Sequence, residues 1–145
     1  MKKFILMILS VLLFQNISYA DSERVISADK LPIAAQKFLK THFAEQSITY
    51  AKVDGYMFDI DYEVRLADGT KIDFDSRGNW TSVERKAAAL PEKLVPTKIA
   101  EYVAKYYTGT KVVKIERNKR SYEVELSNGL ELTFDARYNL INVDD

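Results

Sequence analysis

The chain has 145 residues, with 21 basic and 21 acidic side chains, one histidine and no cysteine. Balanced charge excludes the basic surface on which nucleic-acid binding rests, and no polybasic cluster serves an anionic membrane. The absence of cysteine excludes a disulfide framework, and one histidine leaves too few ligands for the usual zinc or iron site.

Lys2 and Lys3 open the chain, residues 4–14 are apolar except for Ser10, and Ser18 and Ala20 put small side chains just before Asp21. This is the three-part secretory signal, and its apolar run is too short for a comfortable membrane span. Cleavage after Ala20 is expected, giving a periplasmic or secreted protein with no further membrane attachment. Residues 21–145 then hold 19 basic and 21 acidic groups, within the length of one ordinary domain.

Pro32 suits the first turn of a helix, and Ala35, Phe38, Leu39 and Phe43 follow helical spacing. A strand over 48–54 comes next. Ile60, Tyr62, Val64 and Leu66 then alternate with Asp59, Asp61, Glu63 and Arg65, the mark of a half-buried strand. Asp68-Gly69 predicts a two-residue type I′ hairpin, with Ile72 and Phe74 returning on the buried face. Residues 75–79 make the next turn, with Gly78 at a left-handed position, and 79–84 form a fourth strand. The Ala-rich stretch 86–90 fits a short helix within 85–95.

The same order then recurs. Pro96, Ile99, Tyr102, Val103 and Tyr106 define a helix that ends near Gly109. Strands over 111–117, 121–126, 131–135 and 139–144 follow, with Asn128-Gly129 as the hairpin dipeptide. Residues 62–66 recur at 122–126, and 74–79 recur at 134–139, at a common offset of 60. An internal repeat of this density predicts an α+β fold of two tandem units, each a helix on a four-stranded antiparallel sheet. The boundaries are 21–84 and 85–145.

A helix covers one face of each sheet and leaves the other polar and open. Val83 and Val143, with Thr81 and Ile141, take the inward register, which turns Trp80 and Leu140 outward. A tryptophan among charges is an anchor of binding surfaces, unless a loop or the neighbouring repeat covers it. The expected partner-binding set is Trp80, Tyr50, Arg65 and Lys71 from the first unit, with Glu123, Glu125 and Leu140 from the second. His42 lies on a helix as a structural histidine, and no phosphate loop, G-x-S-x-G or H-E-x-x-H occurs. No catalytic residue and no cofactor is expected. The alternative is small-ligand or calcium binding at the sheet face or in the groove between the repeats, with Asp59, Asp61, Asp73 and Asp75 on one face of adjacent strands as the oxygen-ligand calcium set. Arg65, Lys71 and Arg77 lie among them, and cross-strand ion pairing is the ordinary use of such alternation.

These features together resemble the PepSY-like, putative β-lactamase-inhibitor-like family of small exported bacterial proteins. They are the signal, together with Leu31-Pro32 opening a helix to Phe43, residues 62–66 with Asp68-Gly69, and residues 74–78, the last three features repeated from Pro96. The resemblance implies a fold like that of the β-lactamase inhibitor protein, whose open sheet surface grips a partner protein. It implies another exported protein as partner here. The lack of cysteine departs from the true inhibitor, and no inhibitory loop matches residue by residue.

Overall fold

The alternating segments of both halves become strands of one sheet. The computed structural model describes residues 23–145, so the expected signal and its cleavage after Ala20 lie outside the described residues. The strands are β1 (Arg24–Ile26), β2 (Ile48–Tyr56), β3 (Asp59–Leu66), β4 (Lys71–Phe74), β5 (Trp80–Glu84), β6 (Val112–Arg117), β7 (Ser121–Leu126), β8 (Glu131–Asp135) and β9 (Leu140–Asp144). They lie in chain order, every neighbouring pair antiparallel.

Two four-stranded sheets were expected; the structure has a single nine-stranded one. The seam is the β5–β6 pair, Ser82 opposite Glu116, Val83 opposite Ile115 and Glu84 opposite Lys114. Separate sheets would leave β5 and β6 as two open edges with unpaired N–H and C=O groups, whereas pairing them satisfies both. It also sets Val83 and Ile115, both fully buried, side by side in one apolar face. Strand β1 had no sequence signal, since three residues are too few to display a period.

Helices α1 (Ile33–His42) and α2 (Thr97–Tyr106) lie on that apolar face, with Pro32 and Pro96 at their N-caps. Ala35 and Leu39 of α1 and Ile99 and Val103 of α2 join Val64, Ile72, Phe74, Val124, Leu132 and Phe134 in one core. Each half carries a matching edge-on ring contact, Phe38 to Phe74 and Tyr102 to Phe134, both at 5.6 Å. The stretch expected as a helix within 85–95 has only a 3₁₀ turn at Glu92–Leu94.

The hairpin turns differ from the two-residue prediction. In Asp68-Gly69 and Asn128-Gly129 only the glycine has positive φ, 86° and 89°. Leu66 N–H donates to Thr70 O at 2.9 Å and Leu126 N–H to Leu130 O at 2.8 Å, which closes three-residue loops. Asp68 and Asn128 accept the N–H two residues on through Oδ1, at 2.9 and 3.1 Å, and these bonds favour the wider turn. At 75–79 the expected turn forms, with Asp75 Oδ1 accepting from Arg77 and Asn79 N–H and Gly78 at φ 84°.

One register expectation is reversed. Phe74 faces Trp80 and Phe134 faces Leu140, with the ladder shifting by a residue between Asp73 and Phe74 and between Thr133 and Phe134. These bulges turn Trp80 and Leu140 inward, onto the helix side, where both are half-buried against the core. Val143, at the edge, stays 43% exposed although it pairs with inward Leu132.

Candidate functional site

The face away from the helices is built from the alternate residues of seven neighbouring strands. Its register produces two transverse rows of side chains. Lys52, Glu63, Asp73, Ser82, Glu116, Glu123 and Thr133 are successive cross-strand partners from β2 to β8. Tyr50, Arg65, Lys71, Glu84, Lys114, Glu125 and Glu131 form the parallel row beside them. Asp54 faces Asp61 one pair further toward the β2–β3 turn. A hollow of about 450 Å³ lies over the first row, lined by Asp54, Asp61, Glu63, Asp73, Glu116 and Glu123, with Lys52 on the same face and Arg117 at its end.

The two rows differ electrically. The second holds three cations (Arg65, Lys71, Lys114) and three carboxylates (Glu84, Glu125, Glu131), so its net charge cancels, whereas the first sets four carboxylates against Lys52 alone. In the first, Glu116 stands directly opposite Glu123, and like charges so placed repel. Burial, then the nearby Glu116 and Glu131, push the Glu123 carboxyl above its ordinary value. Asp61 is raised by burial and then by Asp59, Asp54 and Asp75. Asp73 is raised chiefly by burial, with Lys71 opposing and Glu63, Glu116 and Asp61 adding to the rise. Glu63 behaves differently. Burial acts to raise it, yet the Tyr50 hydrogen bond and Lys71 outweigh burial and hold it below the usual range.

Those partners are close. Tyr50 Oη donates to Glu63 Oε1 at 2.7 Å, and Lys71 Nζ lies 3.4 Å from Glu63 Oε2 and 3.7 Å from Asp73 Oδ2. Arg65 Nε donates to Tyr50 Oη at 3.4 Å. Lys114 Nζ is 3.0 Å from Glu116 Oε1, and Lys52 Nζ is 2.6 Å from Glu23 Oε1. The expected contact residues Tyr50, Arg65, Lys71, Glu123 and Glu125 therefore share the open face, while Trp80 and Leu140 do not.

Trp80 has a different setting. Its ring is 6.2 Å from Phe38 of α1, and the Arg117 guanidinium lies 3.7 Å over it. Arg117 Nε donates to Trp80 O at 2.9 Å, beyond the last β5–β6 ladder pair, so the arginine closes the end of the seam. His42 also lies on the helix side, its ring 4.7 Å from Phe38 and its pKa lowered by burial and then by Lys93.

Among the described residues, no group of three or more His, Asp or Glu is arranged to hold a metal ion. The alternative calcium set is therefore not assembled. Asp75 is committed to its turn through Arg77 and Asn79, and Asp59 sits at the hairpin end. Sequence reasoning missed Glu116, Ser82, Glu23 and Asp54. Glu116 shares its face with Lys114 by alternation, but its place opposite Ser82 depends on the β5–β6 pairing. Glu23 carries no pattern at all.

A family model described as "Putative beta-lactamase-inhibitor-like, PepSY-like" matches residues 60–142, more than half of the chain. No curated protein matches. Among solved structures, a periplasmic protein of the DUF2874 family from Bacteroides vulgatus is similar, with 44% identity and a TM-score of 0.82 over 87% of this chain and 99% of that one. A "putative calcium-regulated periplasmic protein" from Bacteroides thetaiotaomicron shares 40% identity with a TM-score of 0.82, over 85% of this chain and 97% of its own. A periplasmic protein of unknown function from Bacteroides vulgatus shares 36% identity with a TM-score of 0.80, covering 85% and 99%. These neighbours are described as "putative" periplasmic proteins, and no helix among the described residues is long and apolar enough to cross a membrane.

Proposed function

The chain belongs to the PepSY-like, putative β-lactamase-inhibitor-like family, and from that premise we propose that it is an exported, non-catalytic binding module. Its open sheet face grips another exported protein whose contacting surface is basic. One observation carries this reading: the carboxylates of Glu63, Asp73, Glu116 and Glu123 run as one row across the seam, around a hollow with few cations. Asp73 and Glu123, raised chiefly by burial and further by neighbouring carboxylates, gain from a cationic partner, since electrostatic complementarity sets partner choice and encounter rate. Tyr50, Arg65, Lys71 and Glu125 border the row and supply its polar rim. Inhibition or regulation of an exported enzyme is the form of binding that the family resemblance suggests. We read the two halves as a tandem duplication fused along β5–β6, and residues 1–20 as the export signal.

The test is a pull-down from exported-protein extract with the processed protein and a Glu116→Lys, Glu123→Lys variant. A protein retained by the wild type, released by salt and lost by the variant supports the reading. Equal retention by both, or none by the wild type, defeats it.

A second reading is calcium binding at the same row. It is favoured by the neighbour described as calcium-regulated, and it requires the row's carboxylates, which are not grouped for a metal ion as they stand, to draw together on binding. A ligand that binds only the native state must raise its melting temperature. A calcium titration that leaves Tm unmoved eliminates this reading.

A further inference from the structure

Two apolar features of this molecule lack cover. The first is the tip of the β2–β3 hairpin. Strand β4 ends with Phe74 opposite Tyr62, whereas β2 and β3 continue pairing through Asp54–Asp61, Gly55–Ile60 and Tyr56–Asp59. Three further pairs at roughly 3.3 Å each lift the tip about 10 Å past its neighbour. The corresponding β6–β7 hairpin stops at Arg117–Tyr122 and has no such extension. At the raised tip Tyr56 is 79%, Met57 70% and Phe58 95% exposed. The tip is also sharply shaped. Met57 adopts φ 59°, and a Cβ on Gly55 would fall 1.8 Å from Asp59 O. Three large apolar side chains in sequence on a projecting, closely defined turn mark an interaction site.

The second feature is a groove of about 650 Å³ between α2 and the segment that precedes it. Leu90 and Val103, each 5% exposed, are its most deeply buried apolar lining, with Val95, Ala100 and Val112 beside them. Its exposed charged residues are Lys93, Lys111 and Glu92. Strands β2 and β6 run in the same direction. The tip follows the end of β2 and the groove flanks the start of β6, so they lie at opposite ends of the sheet. One chain cannot close the contact on itself.

We propose that the β2–β3 tip of one copy inserts into the α2 groove of a second copy, a head-to-tail self-association independent of the open sheet face. Met57 and Phe58 cover the accessible apolar lining at Val95, Ala100 and Val112, above buried Leu90 and Val103. Asp59, which makes no ion pair among the described residues, meets the lysine-rich margin at Lys93 and Lys111. Complementary charge selects this occupant for the groove, and an apolar tip supplies the burial. Because the two surfaces differ, the contact is heterologous, and it propagates into a chain or closes into a ring.

Sedimentation velocity of the processed protein from about 1 to about 300 µM, the range of weak specific contacts, tests this. The mean mass of the wild type should rise with concentration. Phe58→Ser on the tip and Ala104→Trp in the groove alter exposed positions and leave the fold intact, as circular dichroism will verify. Each alone should weaken association at least tenfold, the size expected for losing about 1.4 kcal/mol. Mixed together, the two variants retain one good tip and one good groove between them. They should form dimers and nothing larger. A wild type that stays monomeric throughout overturns the proposal. So does association that survives either variant, or a mixture in which no dimer returns.

Discussion

Replacing Trp80 by alanine separates the two settings available to that side chain. On an open sheet face the change would cost little stability, because substitutions at exposed sites usually stay within about 0.5 kcal/mol. In the structure the ring is half-buried, 6.2 Å from Phe38 and covered by Arg117 at 3.7 Å. Full burial would set the loss at about 3–5 kcal/mol, and partial exposure reduces it. The stacked guanidinium adds about 1 kcal/mol. Trp80→Ala should therefore destabilise the fold by about 2–4 kcal/mol. Urea unfolding measures this, followed by far-ultraviolet circular dichroism because Trp80 is the only tryptophan. Combining it with Arg117→Met in a double-mutant cycle should reveal a coupling of about 0.5–2 kcal/mol. A loss under about 0.5 kcal/mol, or no coupling, would refute the inward placement and the bulge that produces it.

Other outcomes follow from the same geometry. Gly78→Ala should cost about 2–5 kcal/mol, since its Cβ would lie 2.7 Å from Pro32 Cβ and 2.9 Å from Ala35 N at a positive φ. Gly69→Ala, with the same handedness but nothing within 4 Å, should cost only about 1–2 kcal/mol; equal losses in urea melts would disprove the steric part. Asp68→Ala should lose about 1–3 kcal/mol, because it removes the bond to Thr70 N–H and leaves Arg85 Nε, 3.1 Å from Asp68 Oδ2, unpaired. Asp68→Asn, which keeps the turn bond, should lose less. Asp73 is raised in the fold, so its ionisation opposes folding, and that penalty is absent below the unfolded pKa and grows as pH rises through the folded one. Asp73→Asn should thus be more stable than wild type at pH 7, with the gap closing as pH falls toward 4. A gap that is constant with pH in thermal melts, or of opposite sign, would contradict the raised carboxyl.

Much of the fold was legible because local physics repeats within it. The alternation from Asp59 to Leu66 and from Ser121 to Leu126 fits only a strand with one buried face. The i, i+3, i+4 spacing of Ala35, Phe38 and Leu39 fits only a helix lying on such a face. The polar sides of those strands, and hence Tyr50, Arg65, Lys71, Glu123 and Glu125, followed directly. The inward turn of Trp80 and Leu140 did not, because one inserted residue flips every side chain beyond it and composition carries no mark of the insertion. The three-residue loops were misread for a related reason: Asp-Gly and Asn-Gly suit either turn, and the bonds to Thr70 and Leu130 decide between them.

The sequence by itself determined the order of the two long helices and of strands β2 to β9, the helix-covered and open faces of β3, β4, β7 and β8, and much of the core. These depend on neighbours two to four positions apart. Only the tertiary structure decided that β5 pairs with β6, that the carboxylates of the two halves meet as one row, and that Arg117 caps Trp80 at the end of the seam. Each of these joins residues at least 30 positions apart. There, satisfying the hydrogen bonds of two strand edges outweighs anything that local periodicity can record.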